Sequence, residues 1–336
     1  MLQKKTTRVI KPQKWLMGLL FIVIMQPSVL AQSYQLHTPR VLIESDPGVV
    51  YSTPKWSPNG QMLAFTANQN KGIFIKNLDS GEVFKLTDDA NAGFGFSWSP
   101  DGDFILARPS FFENRRRYSQ IKVYPVNQGE EIYLQQKARN IQGLPFWAPD
   151  GSRVGYIQSN ELHLDKIKDI SRQKKPASLI RQDHPTPPLV YYFQNGKISQ
   201  YNLTAKTHKI IQDTESRHAF NLSVSPSANA LAWQVLGKGM FVWHSAIEQH
   251  IHIPGGERAD WFPDGEHLVY SINEDDGYRI TGAELYVLNA LTGQTQKLTN
   301  NIAFPAMSPA VSPCGTKLSF QNPIDGNIYI ADIEIK

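Results

Sequence analysis

Histidine and aspartate side chains are the residues of this sequence with the most obvious potential for chemistry. His250 and His252 lie two positions apart, a spacing that places both side chains on one face of a strand and that metal sites use. Asp101, Asp150 and Asp264 each lie between a proline and a glycine, where an aspartate bonds its own backbone. We predict that the aspartates are turn residues and that the histidines lie on an outer, solvent-facing strand, with a metal site as the alternative.

These residues are positioned by a repeated phrase, Trp-Ser-Pro-Asp-Gly, with variants. Its copies begin at Trp56, Trp98, Trp147, Val224, Trp261 and Val311. One gap is about twice as long as the others, and within it residues 185–213 have strand-like runs without the phrase. Counting this hidden copy gives seven units of roughly 44 residues, the size of a four-stranded propeller blade.

Each unit contains the strands that a blade needs. After the Pro-Asp-Gly turn come alternating apolar runs such as 62–65, 73–75 and 285–287, which are typical of β-strands. The last unit stops before its outer strand, and the unassigned strand Pro39–Glu44 is predicted to supply it. The sequence therefore predicts an all-β fold: a β-propeller of four-stranded blades, seven rather than six, closed by an N-terminal strand that completes the last blade.

The charge distribution separates a leader from the rest of the chain. The chain has 336 residues, one cysteine and a formal net charge of +4. Five of its 34 basic residues and no acid lie in residues 1–31, which leaves 29 bases against 30 acids. An apolar run at 15–25 and small residues before Gln32 indicate a signal peptide at 1–31 and a single propeller domain at 32–336. We expect a periplasmic or secreted protein that does not bind nucleic acid and has no stable membrane span after cleavage.

The combination of the Trp-Ser-Pro-Asp-Gly phrase, Leu-Ala-Phe and Ile-Tyr-Val strands and Lys-Leu-Thr ends resembles the propeller repeat of the TolB family. That repeat is related to those in front of prolyl-oligopeptidase-type hydrolases. The resemblance covers residues 40–336. It implies a periplasmic propeller that binds envelope proteins, here without the separate α/β domain of TolB. In this sequence the fourth unit lacks the phrase, Ser227-Ala228 replaces Asp-Gly in the fifth, and Cys314 replaces Asp in the seventh.

The sequence contains no short motif of the common enzyme classes. Gly-x-Ser-x-Gly, the Walker loop, His-Glu-x-x-His and Cys-x-x-Cys do not occur. We therefore predict a non-catalytic interaction or ligand-binding scaffold with no cofactor, no metal and no catalytic residue. The alternative is a metal-dependent polysaccharide lyase of the oligogalacturonate type, or another propeller enzyme, since the same fold supports both.

Loop lengths indicate where binding occurs. Residues 109–118 and 273–282 are longer than a turn requires and belong with the blade-to-blade connections on one face of a propeller. Aromatic and guanidinium groups, which are enriched in interface hot spots, are concentrated there. The predicted partner-binding residues on this face are Phe111, Phe112, Arg115, Arg116, Arg117, Tyr118, Arg139, Arg217, His218, Arg258, Tyr278 and Arg279. The expected partner is an envelope protein or a small anionic ligand.

Overall fold

Seven antiparallel sheets, arranged as the blades of a β-propeller, account for the described part of the chain. The computed structural model describes residues 32–167, 187–214, 216, 218–247, 250–300 and 302–336. Within it, Ser33–Lys336 form one compact unit. The predicted signal peptide at 1–31 and the predicted site residue Arg217 lie outside the described residues. No helix in the described ranges is long and apolar enough to cross a membrane.

The first half of the ring is built from consecutive strands. The first two strands, β1 (Tyr34–Leu36) and β2 (Arg40–Ile43), belong to the last blade. Blade 1 contains β3 (Ser52–Trp56), β4 (Met62–Ala67), a 3₁₀ turn (Asn68–Asn70), β5 (Lys71–Asn77) and β6 (Val83–Thr87). Blade 2 contains β7 (Ser97–Trp98), β8 (Phe104–Ala107), β9 (Ser110–Glu113), β10 (Arg116–Pro125) and β11 (Ile132–Ala138). Blade 3 contains β12 (Ile141–Trp147), β13 (Arg153–Gln158) and β14 (Glu161–Lys166).

The second half follows the same plan. Blade 4, the predicted hidden copy, contains β15 (Leu189–Gln194), β16 (Lys197–Asn202) and β17 (Thr207–Asp213). Blade 5 contains β18 (Ala219–Val224), β19 (Ala230–Val235), β20 (Gly239–His244) and β21 (Ile251–Ile253). Blade 6 contains β22 (Gly256–Trp261), β23 (His267–Asp275), β24 (Ile280–Asn289) and β25 (Thr295–Lys297). Blade 7 contains β26 (Met307–Val311), β27 (Lys317–Gln321) and β28 (Ile328–Ile335).

The predicted closure is confirmed, and it is more extensive than the sequence indicated. Strand β2 pairs antiparallel with Ile328–Ile330 of β28. A second segment, β1, pairs with Ile333–Ile335 of the same strand. The outer edge of blade 7 is thus covered by two segments from the other end of the described chain, which leaves less unpaired edge.

The hydrophobic core is divided into layers between neighbouring blades. One cluster joins Phe104 and Leu106 of blade 2 to Val154 and Tyr156 of blade 3, and five others join neighbouring pairs in the same way. Apolar side chains therefore alternate along each strand between the two faces of a blade, both of which are covered by neighbouring blades.

The repeated phrase forms the contacts between blades at the centre of the ring. Its indole nitrogens donate to backbone carbonyls of the preceding blade's innermost strand: Trp56 to Ala310 at 3.1 Å, Trp98 to Lys55 at 3.0 Å and Trp147 to Ser97 at 3.4 Å. The turns also touch, since a Cβ at Gly315 (φ 74°) would lie 3.2 Å from Cδ of Pro263. The tryptophan and the glycine are therefore both required by packing between blades as well as within one blade.

The aspartates of the phrase are turn residues, as predicted. Asp101 accepts hydrogen bonds from the Ser99 hydroxyl at 2.5 Å and from the backbone amide of Asp103 at 3.2 Å. Asp150 and Asp264 likewise accept backbone amides two residues further on, at 2.9 Å. Their carboxylates are held by the turn that they form.

Candidate binding site in the central channel and on the loop face

The innermost strands of five blades are interrupted near the same place, and in β12 the register shift lies between Gln142 and Phe146. Strands β3, β18, β22 and β26 each have a register shift against the next strand, which is the signature of a β-bulge. The residue three positions before the repeat tryptophan, or its substitute, has a positive φ there: Thr53 (54°), Asn221 (50°), Arg258 (55°) and Ser308 (49°). Such values are strained for residues other than glycine and often occur at functional sites.

Two of these bulges are held by side chains from the neighbouring blade. The backbone amide of Thr53 donates to Oε1 of Gln321 at 2.9 Å, and that of Arg258 donates to Oε1 of Gln234 at 3.3 Å. Gln321 is the last residue, and Gln234 the last but one, of the second strand of the preceding blade. Because a side chain of the preceding blade accepts the backbone amide at both positions, contacts between blades determine which side chains face the channel.

A cavity of about 540 Å³ lies among the innermost strands and is lined by all four bulge residues. Its charged residues are Lys55, Arg258 and Asp260. Asp260 Oδ2 accepts the backbone amide of Val311 at 2.7 Å, and burial raises the pKa of this carboxyl to about 6. Burial lowers the pKa of Lys55 to about 8 and also lowers the pKa of Arg258. Desolvation thus disfavours all three charges.

A second cavity of about 520 Å³ shares Lys55, Trp98 and Asn221 with the first. Its wall is aromatic, with contributions from blades 2 to 5, and its own charged residue is Arg108. The aromatic lining residues are Phe94, Trp98, Phe146, Trp147, Tyr191, Tyr192, Phe193 and Phe220. The Arg108 guanidinium donates to the carbonyl of Gly143, and burial lowers its pKa. The channel therefore consists of a polar lobe and an aromatic lobe that meet at Lys55.

The predicted loop 109–118 is largely an exposed β-hairpin. Strand β9 pairs with the start of β10, with Phe112 opposite Arg117 and Phe111 opposite Tyr118. The rings of Phe111 and Tyr118 stack at 5.7 Å, whereas Phe112 is 73% exposed. Arg115, Arg116 and Arg117 are exposed. The hairpin therefore presents one large apolar side chain beside three guanidinium groups.

The other predicted site residues are distributed around the ring. Tyr278 is 99% exposed at the tip of the connection between β23 and β24, where Arg279 pairs with Asp276 at 3.6 Å. Arg139 and His218 are exposed in blade-to-blade connections. Arg258 differs from all of these, because it lines the channel cavity rather than a loop surface. The structure thus places Arg258 in the wall of the channel and the other described site residues on the loops around the ring.

The sequence analysis missed Lys55, Asp260 and Arg108. Lys55 and Asp260 each precede a repeat tryptophan, and Arg108 directly follows β8. The signal that the sequence offered for these residues was a charged side chain in or beside a strand that is otherwise buried. This signal can be interpreted only with the geometry of the ring, which places these residues in the wall of the channel.

The histidine pair lies on the outer part of blade 5. His252 is exposed on β21, its ring stacks on Phe241 at 4.4 Å, and the His250 ring contacts the same phenylalanine at 5.2 Å. Both rings therefore face the same way on an outer strand, as predicted. Neither lines the two cavities. Within the residues that the structure describes, no group of three or more His, Cys, Asp or Glu side chains could hold a metal ion.

Comparisons with known proteins support the propeller and leave the activity open. The family described as "Dipeptidyl peptidase IV (DPP IV) N-terminal region" matches residues 32–106. An "Uncharacterized peptidase YuxL" of Bacillus subtilis is 30% identical over 145 residues, covering 40% of this chain and 19% of that protein. The chain therefore matches about a fifth of the length of this curated relative.

Two solved structures align with most of the chain. The Cps50 (Swd1) β-propeller domain of Myceliophteria thermophila aligns with a TM-score of 0.56 at 13% identity, covering 89% of this chain and 99% of that one. A structure titled "Oligogalacturonate lyase in complex with manganese" aligns with a TM-score of 0.44 at 14% identity, covering 90% of this chain and 96% of that one. The first similarity concerns the fold alone.

Proposed function

We propose that the protein is an exported TolB-like β-propeller that binds a protein partner of the cell envelope and does not catalyse a reaction. The partner docks on the loop face, which we define as the connections between the second and third strands of the blades. In an antiparallel blade these connections all lie at the same end. The family resemblance of the repeat supports the envelope setting.

One observation carries this proposal. Among the residues that the structure describes, four large apolar side chains are exposed by more than 60%: Phe112 (73%), Leu236 (71%), Tyr278 (99%) and Ile324 (67%). Each belongs to the loop face, in blades 2, 5, 6 and 7. Apolar side chains concentrated at one end of a folded protein, next to arginines, are typical of protein interaction surfaces.

A paired set of variants tests the docking surface. We expect Phe112→Ser/Tyr278→Ser to abolish capture of the partner from an envelope extract of the source cells. Leu291→Ser is the matched control, because Leu291 is 42% exposed in the turn between β24 and β25, at the opposite end of blade 6. Equal capture by the double variant and the control would contradict the proposal.

Export is tested separately. We expect N-terminal sequencing of the protein from source cells to begin at Gln32, and the protein to be found in the periplasmic or external fraction. A mature chain that retains residues 1–31 in the cytoplasmic fraction would rule out an envelope partner without affecting the fold.

A further inference from the structure

Two cations, Lys55 and Arg258, and one carboxylate, Asp260, line the polar lobe of the channel, so its formal charge is +1. Lys55 and Arg258 both belong to its wall. Among the described residues, no acidic side chain forms a salt bridge with either of them. The nearby carboxylate, Asp260, is hydrogen-bonded to the backbone amide of Val311. Asp260 offsets only one of the two positive charges. Removing a cation from water is costly unless an anion compensates it, so the excess positive charge of this wall is complementary to an anionic group.

A bulge in the backbone determines where the Arg258 side chain lies. Arg258 has a φ of 55°, and its amide is held by Gln234 of the preceding blade. A simple strand would avoid the positive φ, whereas a bulge changes where the side chain points. The same bulge with a positive φ occurs at Thr53, Asn221 and Ser308, so it is a feature of the innermost strands, and in blade 6 it places the Arg258 side chain in the wall of the cavity.

The second lobe defines the rest of the ligand. Its wall is mainly apolar, with eight aromatic residues, and it meets the cationic lobe at Lys55 and Trp98. Each lobe, at about 520 and 540 Å³, has the size of a small-molecule site. A molecule that spans the junction would place an apolar group against aromatic rings and an anionic group beside the lysine and the arginine.

From this geometry we propose that the central channel binds a carboxylate attached to an aromatic or other apolar group. The carboxylate is held by Lys55 and Arg258, and the apolar group lies in the aromatic lobe near Tyr191. Such a carboxylate can belong to a free organic acid or to the C-terminus of a peptide. This site is independent of the loop face, and loss of the envelope partner would leave it unchanged.

Calorimetric titration of the whole mature protein tests the site at pH 7. The probes are 3-phenylpropanoate, its neutral analogue 3-phenylpropanamide, and the peptide Ala-Ala-Phe with a free or an amidated C-terminus. We expect saturable binding of at least one carboxylate probe, with a Kd on the order of 1 mM or tighter. Its neutral analogue should bind at least about tenfold more weakly. Binding of the acid alone identifies a free acid as the source, and binding of the peptide alone identifies a peptide end.

Variants assign the binding to the channel. Lys55→Met and Arg258→Met should each weaken binding of the carboxylate probe by about tenfold or more, because each removes one charge from the site. Lys209→Met, at an exposed lysine on β17, is the matched control and should bind as the wild type does. Thermal melts establish that the variants are folded. The proposal is overturned if neither carboxylate binds, if acid and amide bind equally, or if both channel variants keep wild-type affinity.

Discussion

Lys55 and Asp260 occupy equivalent positions in blades 1 and 6, one residue before the repeat tryptophan. At this position the side chain lines the channel, where water is limited and charge is disfavoured. Their attraction offsets part of the cost, since Lys55 favours the ionised form of Asp260 and Asp260 favours the charged form of Lys55. The pKa of Asp260 is still raised and that of Lys55 is still lowered, so burial outweighs this attraction for both residues.

Titration of Asp260 therefore makes the free energy of unfolding depend on pH, and Asp260→Asn should remove this contribution. Its pKa in the folded protein is about 6, above the 3.8 of a free aspartate side chain, so the folded state binds the proton more tightly. Wild-type stability should rise as pH falls from above 6 toward 4. Because the asparagine oxygen can still accept the Val311 amide, the variant should be more stable than wild type at pH 7.5, by up to about 3 kcal/mol.

Denaturant titrations at several pH values measure this difference. The free energies of unfolding of wild type and Asp260→Asn should converge near pH 4, where the wild-type carboxyl is protonated in the folded state. Lys55 and Arg258, the other charged groups of the cavity, are present in both proteins. A constant difference from pH 4 to pH 7.5 would show that Asp260 does not titrate as its burial requires.

At the scale of strands, the repeat tryptophan connects neighbouring blades, and its hydrogen bond should contribute measurably to stability. Trp98→Phe removes an indole nitrogen that donates to the Lys55 carbonyl at 3.0 Å, so one part-buried hydrogen bond between blades is lost. Trp261→Phe is the natural control, since its buried indole nitrogen has no hydrogen-bond partner among the described residues. Both changes lose similar ring volume. We expect Trp98→Phe to cost about 1–2 kcal/mol more than Trp261→Phe in urea unfolding.

The difference in unfolding free energy between Trp98→Phe and Trp261→Phe tests the contribution of the indole hydrogen bond. Equal losses of unfolding free energy would mean that the tryptophan stabilises the ring through packing alone. A larger loss for Trp261→Phe would be incompatible with a role for the indole hydrogen bond. Trp147, whose bond to Ser97 is longer at 3.4 Å, should give an intermediate value.

Strand order was predictable from the sequence because its signals are local. The Pro-Asp-Gly turn fixes the backbone of a few residues, and alternating apolar residues mark the strands on either side. The bulges were not predictable in this way. Thr53, Arg258 and Ser308 have no intrinsic preference for a positive φ, and the glutamines or neighbouring strands that hold them are distant in the sequence. The channel site, which depends on these bulges, was therefore missed apart from Arg258.

For the molecule as a whole, closure of the ring depends on residues at opposite ends of the described chain. The sequence indicated β2, whose apolar run has no blade of its own, but gave no sign of β1. The three residues of β1 are too few for a strand signal, and their position depends on tertiary contacts. The ring of Tyr34 packs 4.9 Å from that of Phe262, and its backbone amide donates to Oε1 of Gln296 at 2.9 Å. The closure thus contacts blade 6 as well as blade 7.

Removing residues 32–44 from the mature protein should lower the melting temperature by on the order of 10 °C. The deletion exposes the outer edge of β28 and removes two buried side chains, Tyr34 and Ile43, from the inter-blade core. The variant Tyr34→Ala/Ile43→Ala keeps the chain length and should reproduce most of the loss. Thr38→Ala, between the two strands and exposed, should melt as the wild type does.

Adding the missing segment back distinguishes closure from a general loss of stability. A synthetic peptide of residues 32–44 should raise the melting temperature of the deleted protein in a concentration-dependent manner, because binding to the folded state stabilises it by mass action. A peptide in which Tyr34 and Ile43 are alanine should have little effect, since its apolar contacts are lost. If the deleted protein melts at the wild-type temperature, these two strands do not hold the ring closed, and its stability resides in the tryptophan contacts and core layers between the remaining blades.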